Sequence, residues 1–336
     1  DMTDPLISIV TPSFRQAAYI EDCLRSVEVQ AVPVQHIVVD GGSPDGSKEL
    51  IARHADRLHW WCSEPDRGQS DAINKGLARC TGTVFNWLNS DDLLLPGALK
   101  RVADAFAADP ALLVFGGRVV HRSASGDRPF ERQNDARDVQ RLFRDPVINQ
   151  PATFYRMDVV KELGGVDPAL RYVMDVELWW QLLFRHGAAH LRFEPEDLAV
   201  FRLHEESKTV TAHRGFLDEL ASLLHGLCMV TGQPELARVL AIGHDLREGL
   251  RGIPVGPEQH GVVRGMVLHF LLKWHGVVHR REQYRMMKAL KRVVTLRDMK
   301  DLDDALLHRW TQLDTQLKAP TWWTFRLRRK WRHLRP

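Results

Sequence analysis

The sequence predicts an α/β fold, with a doubly wound, mostly parallel, Rossmann-like sheet over residues 1–214 and a helical extension over residues 215–336. Three observations predict it. Short apolar runs alternate with segments of helical periodicity, as in sheets whose strands are joined by crossover helices. Polar residues follow the predicted strands, where parallel sheets bind ligands. Beyond about residue 214 only helical patterns remain.

The elements of the first half alternate strictly. Predicted strands cover residues 6–10, 36–40, 58–62 and 83–88, and predicted helices cover 17–29, 47–54, 71–79 and 96–107. The first run, Leu6-Ile7-Ser8-Ile9-Val10, is nearly continuous in apolar residues, which is typical of a strand buried on both faces. The order β-α-β-α-β-α-β-α therefore predicts a parallel sheet.

The pattern is less regular beyond residue 112. We predict a strand at 113–120, a polar loop at 126–134, helices at 157–163 and 175–185, and a last strand at 198–203. Helical patterns then cover 216–230, 234–246, 261–275, 283–293 and 302–317.

Composition narrows the classes of function. A net charge of +3 over 336 residues gives no sign of nucleic acid as a partner. The four cysteines form no CxxC pair and stand near no matching histidine spacing, which predicts reduced, buried thiols. The polar residues 1–5 predict no signal peptide, and no apolar run approaches the ~20 residues that span a bilayer.

The polar strand ends are the candidate site. Thr11-Pro12, Asp40-Gly41, Glu64-Pro65-Asp66 and Asn89-Ser90-Asp91-Asp92 each follow a predicted strand. Because the carboxyl ends of parallel strands meet at one edge, we expect these groups to share a crevice. Adjacent carboxylates there can bind Mg²⁺ or Mn²⁺ together with phosphates, although an N-terminal helix cap is the alternative for Asp91-Asp92.

These segments resemble the motifs of the inverting, GT-A-fold glycosyltransferases of family 2. The matching segments are 10–14, 38–46, 63–68, 71–76 and 88–92. The resemblance covers roughly residues 5–210 and looks closest to bacterial members that build surface polysaccharides of the O-antigen or capsule type.

The resemblance implies a donor site for a nucleotide sugar. The family carries Asp-x-Asp after the fourth strand, and its last Asp holds Mn²⁺ or Mg²⁺; here Asn89 takes the first place and Asp91 the last. Asp91 is thus the predicted metal ligand, and the predicted donor contacts are Thr11, Pro12, Asp40, Asp66, Asn89, Ser90 and Asp92. Asp40 would bind a base with an imide-like edge, which favours UDP, whereas a simple turn role is its alternative.

The second half supplies the predicted acceptor side. Asp175 matches the family's catalytic base, which removes the proton of the acceptor hydroxyl, and a helix N-cap is its alternative. Glu177 lies on another side of the helix and is either structural or an acceptor contact. Gln150 is expected to contact the acceptor or the donor sugar. His204 is expected to join the metal ligands, with a surface histidine as its alternative. Lys208 and Arg202 are expected to offset diphosphate charge.

The C-terminal segment 322–335 is a local anomaly. It holds six Arg or Lys residues and no acid, interleaved with three Trp and one Phe. This composition is typical of a segment on an anionic membrane surface, although a packed basic helix or an RNA-binding patch would also fit. We therefore expect a peripheral location at the cytoplasmic face of the membrane, and a helix over 262–278 that supports docking or a homo-oligomer.

The function that the resemblance implies is metal-dependent, inverting transfer of a sugar from a UDP-linked donor to a hydroxyl of a glycan or polyprenyl-linked glycan. A nucleotidyltransferase is disfavoured because residues 11–18 contain no glycine and one arginine. A non-catalytic scaffold with a degenerate donor site stays open because Asn89 stands where the family carries Asp, and Asn149 where it usually carries His before Gln150.

Overall fold

The computed structural model describes residues 6–204, 213–299, 302–319 and 321–326. The chain forms two compact units, one of residues 1–142 and 146–215 and the other of residues 143–145 and 216–336. The first unit contains the sheet, and the second is helical.

The first unit alternates strands and helices. Its strands are β1 Ile7–Ser13, β2 Val34–Asp40, β3 Trp60–Ser63, β4 Val84–Trp87, β5 Leu93–Leu94, β6 Val114–Ser123, β7 Gly126–Phe130, β8 Thr153–Arg156 and β9 Leu191–Arg202. Its helices are α1 Ile20–Glu28, α2 Ser47–Arg53, α3 Gln69–Leu77, α4 Ala98–Ala108, α5 Val139–Arg144 (whose last two residues count with the second unit), α6 Met157–Glu162 and α7 Met174–His186.

Among the described residues the sheet has nine strands in the order β3-β2-β1-β4-β8-β6-β9-β5, with β7 paired to β6. Strand β1 runs parallel to β2 and β4, and β6 runs parallel to β9, whereas β8 is antiparallel to both β4 and β6. The predicted α/β fold with a mostly parallel sheet is confirmed, and its strand ends gather the polar residues that the sequence places there.

Helix α3 packs closely on strand β1 at the centre of the first unit. All seven residues of β1 are buried, as expected for a strand covered on both faces. A Cβ at Gly76 of α3 would overlap the side chain of Val10, so glycine is needed for this approach. The first turn of α3 is thereby set beside the ends of β1 and β4.

Several strands differ from the sequence prediction, among them the two-residue strand β5, which was not predicted. The predicted polar loop 126–134 begins instead with β7, a short strand whose residues are mostly exposed and so lack an apolar pattern. Ala124 and Ser125 form the turn before it, and Gly126 begins the strand with a φ of 104°, which favours glycine. Strand β8 was not predicted, and β9 begins at Leu191 rather than at 198 because polar residues alternate through its first half.

The second unit is a set of helices, as the sequence predicts. They are α8 His213–Val230, α9 Pro234–Gly243, α10 His260–His275, α11 Arg281–Val293 and α12 Asp304–Gln316. Asp218 of α8 makes a buried polar contact with His244, the residue that follows α9. Nδ1 of His244 lies 2.9 Å from Oδ1 of Asp218. Among the described residues, no helix has the length and apolar character needed to cross a membrane.

Candidate active site

A cavity of about 620 Å³ opens at the carboxyl ends of β1 and β4. Most of the residues predicted from the sequence for a donor or acceptor site contribute to its lining. They are Pro12, Asp66, Asn89, Ser90, Asp91, Asp92, Gln150 and Asp175. Thr11, Asp40, Glu177 and His204 lie outside this lining, and Lys208 lies outside the described residues.

Residues 89–92, which follow β4 and include Asp91 and Asp92, form a turn. The Asp92 N–H donates to the carbonyl of Asn89 at 2.9 Å, and the short strand β5 follows. Helix α4 begins only at Ala98, with Gly97 in the capping position, so the helix-cap alternative for Asp91 and Asp92 is wrong. The turn presents its side chains at the strand end, where ligands of parallel sheets bind.

Asp91 and His204 meet at the cavity. Nε2 of His204 lies 3.0 Å from Oδ2 of Asp91, and both side chains are largely buried. The imidazole stacks on Tyr19, with ring centroids 4.7 Å apart, which orients the ring. The two residues that the resemblance assigns to a metal are therefore in direct contact, although they are 113 positions apart.

The pair fits a divalent cation that also binds phosphate. One carboxylate oxygen and one imidazole nitrogen are ligands that Mn²⁺ accepts, and Mg²⁺ commonly uses one or two carboxylates with substrate phosphates. Within the described part of the chain, no group of three or more His, Cys, Asp or Glu side chains has a metal-binding arrangement. These two side chains would therefore need oxygens of the nucleotide or water to complete the coordination.

Asp92 holds the end of β9 against this turn. Its side chain is 1% exposed, and Oδ1 accepts a hydrogen bond from the backbone N–H of Arg202 at 3.0 Å. Burial raises the pKa of Asp92 well above its usual range, and the neighbouring charge of Asp91 raises it further. Its contacts tie β9, and hence the approach to His204, to the turn that carries Asp91.

Side-chain amides form a chain across the cavity wall. Gln69 Nε2 donates to Asn89 Oδ1 at 2.6 Å, and Gln150 Nε2 donates to the Trp87 carbonyl at 2.5 Å. Asn89 Nδ2 lies 3.4 Å from Gln150 Oε1 and joins the two. Asn89 thus lies between two amide side chains. Gln69, at the start of α3, was not predicted, since a lone glutamine after Arg67-Gly68 carries no motif.

Asp40 lies beneath the lining. Its carboxylate is 0% exposed and accepts hydrogen bonds from Ser43 N at 2.9 Å, Ser43 Oγ at 2.5 Å and Ser63 Oγ at 2.7 Å. Thr11 is equally buried, with Oγ1 2.9 Å from His36 Nε2. Both side chains shape the strand ends on which Pro12 and Gly41 line the cavity.

Asp66 approaches the end of β2 closely. A Cβ at Gly41 would lie 2.8 Å from Asp66 Oδ2, so the glycine leaves room for this carboxylate. Its Oδ1 accepts a hydrogen bond from Gly68 N at 2.8 Å. Burial raises the pKa of Asp66, and the backbone hydrogen bond opposes that shift.

Three arginines also line the cavity, and two of them, Arg15 and Arg171, were not predicted. Arg15 has a φ of 56°, which is uncommon for a residue with a side chain, and its N–H donates to Ser43 Oγ at 2.8 Å. Arg202 donates from Nη2 to Asp22 at 2.8 Å. Positive charge therefore surrounds a cavity whose other charged groups are carboxylates.

Asp175 enters the cavity from the first turn of α7. The helix begins at Met174 and Val173 occupies the capping position, so the N-cap alternative for Asp175 is wrong. The carboxyl is partly buried, and burial raises its pKa to about 6, against a hydrogen bond from the Val176 N–H at 2.9 Å. A carboxylate with a pKa near the working pH is suited to act as a general base.

Glu177 is 0% exposed and lies outside the cavity lining. Its Oε1 accepts a hydrogen bond from Gln181 Nε2 at 2.8 Å within α7. This placement fits the structural alternative rather than a contact with the acceptor.

Residues 8–164 match the family model described as glycosyl transferase family 2. An uncharacterised glycosyltransferase of Rickettsia typhi is 23% identical over 273 residues, covering 79% of this chain and 83% of its own. Glycosyltransferase AglE of Haloferax volcanii is 28% identical over 171 residues, which is 48% of this chain and 56% of AglE.

Two solved structures share the fold. Residues 1–349 of S. aureus TarS in complex with UDP align with a TM-score of 0.57 at 15% identity, covering 92% of this chain and 87% of that one. The mannosyltransferase PcManGT of Pyrobaculum calidifontis, in complex with GDP-Man and Mn²⁺, aligns with a TM-score of 0.52 at 17% identity, covering 96% and 82%. Together with the motif order and the cavity at the strand ends, these matches show that residues 8–164 form a glycosyl transferase family 2 domain, and the chain has the GT-A fold.

Proposed function

We propose that this glycosyltransferase moves a sugar from a UDP-linked donor, with inversion, to a hydroxyl group of a glycan or lipid-linked glycan. The observation that carries the proposal is that one cavity contains both Asp91, in contact with His204, and Asp175, whose pKa is raised to about 6. The first pair can hold the cation that accompanies a diphosphate, and the second group can accept a proton.

The donor end is supported by its chemistry. Asp91 and His204 would hold Mn²⁺ or Mg²⁺, which neutralises charge on a departing diphosphate when bound. Arg15, Arg171 and Arg202 add positive charge around the same cavity. TarS in complex with UDP and PcManGT in complex with GDP-Man and Mn²⁺ support a nucleotide diphosphate and a divalent cation here.

The acceptor end needs one base. The acceptor oxygen forms a bond to the anomeric carbon while the bond from that carbon to the diphosphate oxygen breaks. Asp175 takes the proton of the acceptor hydroxyl, and the nucleoside diphosphate leaves with the electron pair of the broken bond. A single displacement from the face opposite the leaving group inverts the anomeric configuration. Asp66, Asn89, Ser90 and Gln150 then bind the donor or the sugar.

Bacterial surface-polysaccharide synthesis at the cytoplasmic membrane face is the proposed setting. Trp323 is 65% exposed, whereas its neighbours Trp322 and Phe325 stack at 5.3 Å and pack near Tyr284. An exposed Trp directly before a basic stretch favours an anionic lipid surface. The rest of that stretch, residues 327–336, lies outside the described residues.

The test is nucleotide release. The protein is incubated with Mn²⁺, a lipid-linked glycan acceptor and a panel of UDP-, GDP- and dTDP-sugars, and the liberated nucleoside diphosphate is measured. We expect turnover with a UDP-sugar, loss of turnover with EDTA, and a product of inverted anomeric configuration. If no donor in the panel gives nucleoside diphosphate release, the scaffold alternative is favoured. Turnover with GDP-sugars alone would overturn the UDP assignment.

Membrane attachment is tested separately by vesicle flotation. The full chain is mixed with vesicles of phosphatidylglycerol or of phosphatidylcholine. We expect flotation only with the anionic vesicles and weaker flotation for Trp323→Ala, because interfacial Trp and basic residues act together. Equal flotation with both lipids, or with neither, would contradict an anionic membrane partner.

A further inference from the structure

The segment that leads to Asp175 is held by a side chain from α3. Asn74 Nδ2 donates to the carbonyl oxygen of Val166 at 2.7 Å, and the N–H of Val166 donates to Asn74 Oδ1 at 3.0 Å. One amide thus satisfies both backbone groups of a residue 92 positions away. Because residues 163–173 form neither helix nor strand, their backbone groups need such partners.

We call this pair of hydrogen bonds between Asn74 and Val166 a clamp, and the residue before Val166 is a glycine that leaves room for it. Gly165 has a φ of 71°, in the left-handed region, and a Cβ built there would overlap Asn74 Oδ1. Any other residue at this position would be strained and would push the amide away. The glycine therefore allows the backbone of the segment to approach α3 closely enough for the two hydrogen bonds.

A second contact lies one helical turn earlier on α3. Ser70 Oγ donates to the Leu170 carbonyl at 2.6 Å, and this hydrogen bond is buried. Ser70 and Asn74 are four residues apart, so they lie on one face of the helix. The apolar side chains of Val166, Leu170 and Val173 are at most 1% exposed, which fixes the same segment from inside the unit. Helix α7 and Asp175 follow directly.

Helix α3 also reaches the donor side of the cavity. Its first residue, Gln69, lines the cavity and donates to Asn89, whereas Ser70 and Asn74 are not part of the lining. One rigid helix thus carries a donor-side contact at its start and the supports of the base-bearing segment on another face.

From this geometry we infer that Asn74, assisted by Ser70, is a positioning residue that holds the Gly165–Val173 segment so that Asp175 enters the cavity. The inference rests on the proposed role of Asp175 as the base. Asn74 lies outside the cavity lining, so we expect its replacement to change the rate of the chemical step and not the affinity for the donor.

Asn134 provides a matched control. Its amide makes the same pair of bonds to another backbone residue, from Nδ2 to the Val147 carbonyl at 3.1 Å and from the Val147 N–H to Oδ1 at 2.8 Å. Asn134 is 6% exposed and lies outside the cavity lining. Asn74→Ala and Asn134→Ala therefore each remove one such pair of hydrogen bonds from the first unit. Only the pair made by Asn74 holds the segment that leads to Asp175.

The experiment compares the full-length variants in kcat, in KM for the donor, in the Kd for UDP with Mn²⁺, and in melting temperature. We expect Asn74→Ala to lower kcat about 100-fold, since a displacement near 1 Å of a reacting group has that effect. Its Kd for UDP should stay within about twofold of the wild-type value, because the groups proposed to bind the donor are left in place. Asn134→Ala should lower the melting temperature similarly while kcat changes by less than about threefold.

The pH profile gives a readout that a purely structural role would not move. Without the two hydrogen bonds of Asn74, the Gly165–Val173 segment should move away and let water reach Asp175. The pKa of Asp175 should then fall from about 6 towards its ordinary value. The acid limb of kcat in Asn74→Ala should therefore move to lower pH, whereas that of Asn134→Ala should not. If Asn74→Ala does not fold, Ser70→Ala, which removes a single hydrogen bond, should show the same pattern in weaker form.

Two results would overturn the inference. One is a fall in kcat for Asn74→Ala no larger than that for Asn134→Ala; the other is weakened UDP binding with kcat intact. The proposed function fails on a different measurement, namely full turnover by Asp175→Asn. An inactive Asp175→Asn beside an unimpaired Asn74→Ala would reject the positioning role alone.

Discussion

Asp91 and Asp175 line the same cavity, yet their surroundings suit them to different partners. Asp91 lies against the imidazole of His204, so a carboxylate oxygen and a ring nitrogen are close enough to be offered to one divalent cation. The pKa of Asp175 is raised chiefly by burial, and the groups that oppose the rise are backbone N–H groups rather than a positive side chain. Two residues of the same type therefore differ through their environments, which favour the proposed role of one carboxylate as a metal ligand and of the other as a proton acceptor.

The sharpest test of this division is Asp175→Asn. An amide of the same shape cannot accept the proton of the acceptor hydroxyl, so kcat should fall by about 10³-fold, within the range typical of general bases. Donor binding should be preserved because the proposed donor site lies at Asp91 and its neighbours rather than at Asp175. The measurement is steady-state turnover together with the Kd for UDP in the presence of Mn²⁺.

Glu177→Gln is the matched control for that experiment. Glu177 lies two residues further along α7 but is buried and paired with Gln181, away from the cavity lining. Its replacement should leave the pH dependence of turnover unchanged. If Glu177→Gln loses turnover and Asp175→Asn retains it, the base has been assigned to the wrong acid.

The next largest effect is expected at the other carboxylate. Asp91→Asn keeps a hydrogen-bonding group beside His204 but removes the charge that binds a cation, so turnover should fall about 100-fold at a fixed, low Mn²⁺ concentration. High Mn²⁺ should restore part of it. A titration of activity with Mn²⁺ after EDTA treatment measures this shift, and Asp175→Asn should show no such rescue.

Much of the sheet unit was predictable because its apolar runs and strand ends are local features. The predicted strand at 36–40 became β2, and the turn after β4 presents Asn89 to Asp92 as expected. The antiparallel strand β8 was missed, since Thr153-Phe154-Tyr155-Arg156 is short and runs directly into α6. Burial by distant segments, rather than sequence pattern, makes it a strand.

The candidate site was predictable only where residue identity reveals the role. Carboxylates and a histidine stand out in a sequence, whereas Gln69 and Asn74 act through partners 20 and 92 residues away. The burial of Asp40 and Thr11 likewise depends on Ser63 and His36 of neighbouring strands. Such contacts arise from strand register, which no local motif encodes.

A pH profile sharpens the comparison further. If ionised Asp175 is the working base, kcat should rise with pH through about 6 and then level off. Below that value the rate should fall about tenfold per pH unit, because the protonated carboxyl cannot accept another proton. The acid limb should disappear from the residual activity of Asp175→Asn. A limb that persists in this variant would belong to another group.

The smallest expected effect is on stability, and its sign separates Asp175 from an ordinary paired carboxylate. The folded-state pKa of about 6 lies above the unfolded value, so the folded protein binds this proton more tightly, and the stabilisation is full below the unfolded pKa and lost as pH rises through 6. Asparagine mimics the protonated form at every pH. Asp175→Asn should therefore raise the free energy of unfolding at pH 8 by about 1–3 kcal/mol, with the gain shrinking towards pH 4.5.

Asp71→Asn should change stability in the opposite direction. Its pKa is lowered, first by the hydrogen bond from Arg67, so its ionised form stabilises the folded state at neutral pH and that contribution is lost on acidification. The loss at pH 8 should stay below about 1 kcal/mol because the pair is solvent-exposed. Urea unfolding of both variants at pH 8 and 4.5 measures the two signs. A destabilised Asp175→Asn at pH 8 would mean that the ionised carboxylate is stabilised by its surroundings, and a base with a raised pKa would then be untenable at this position.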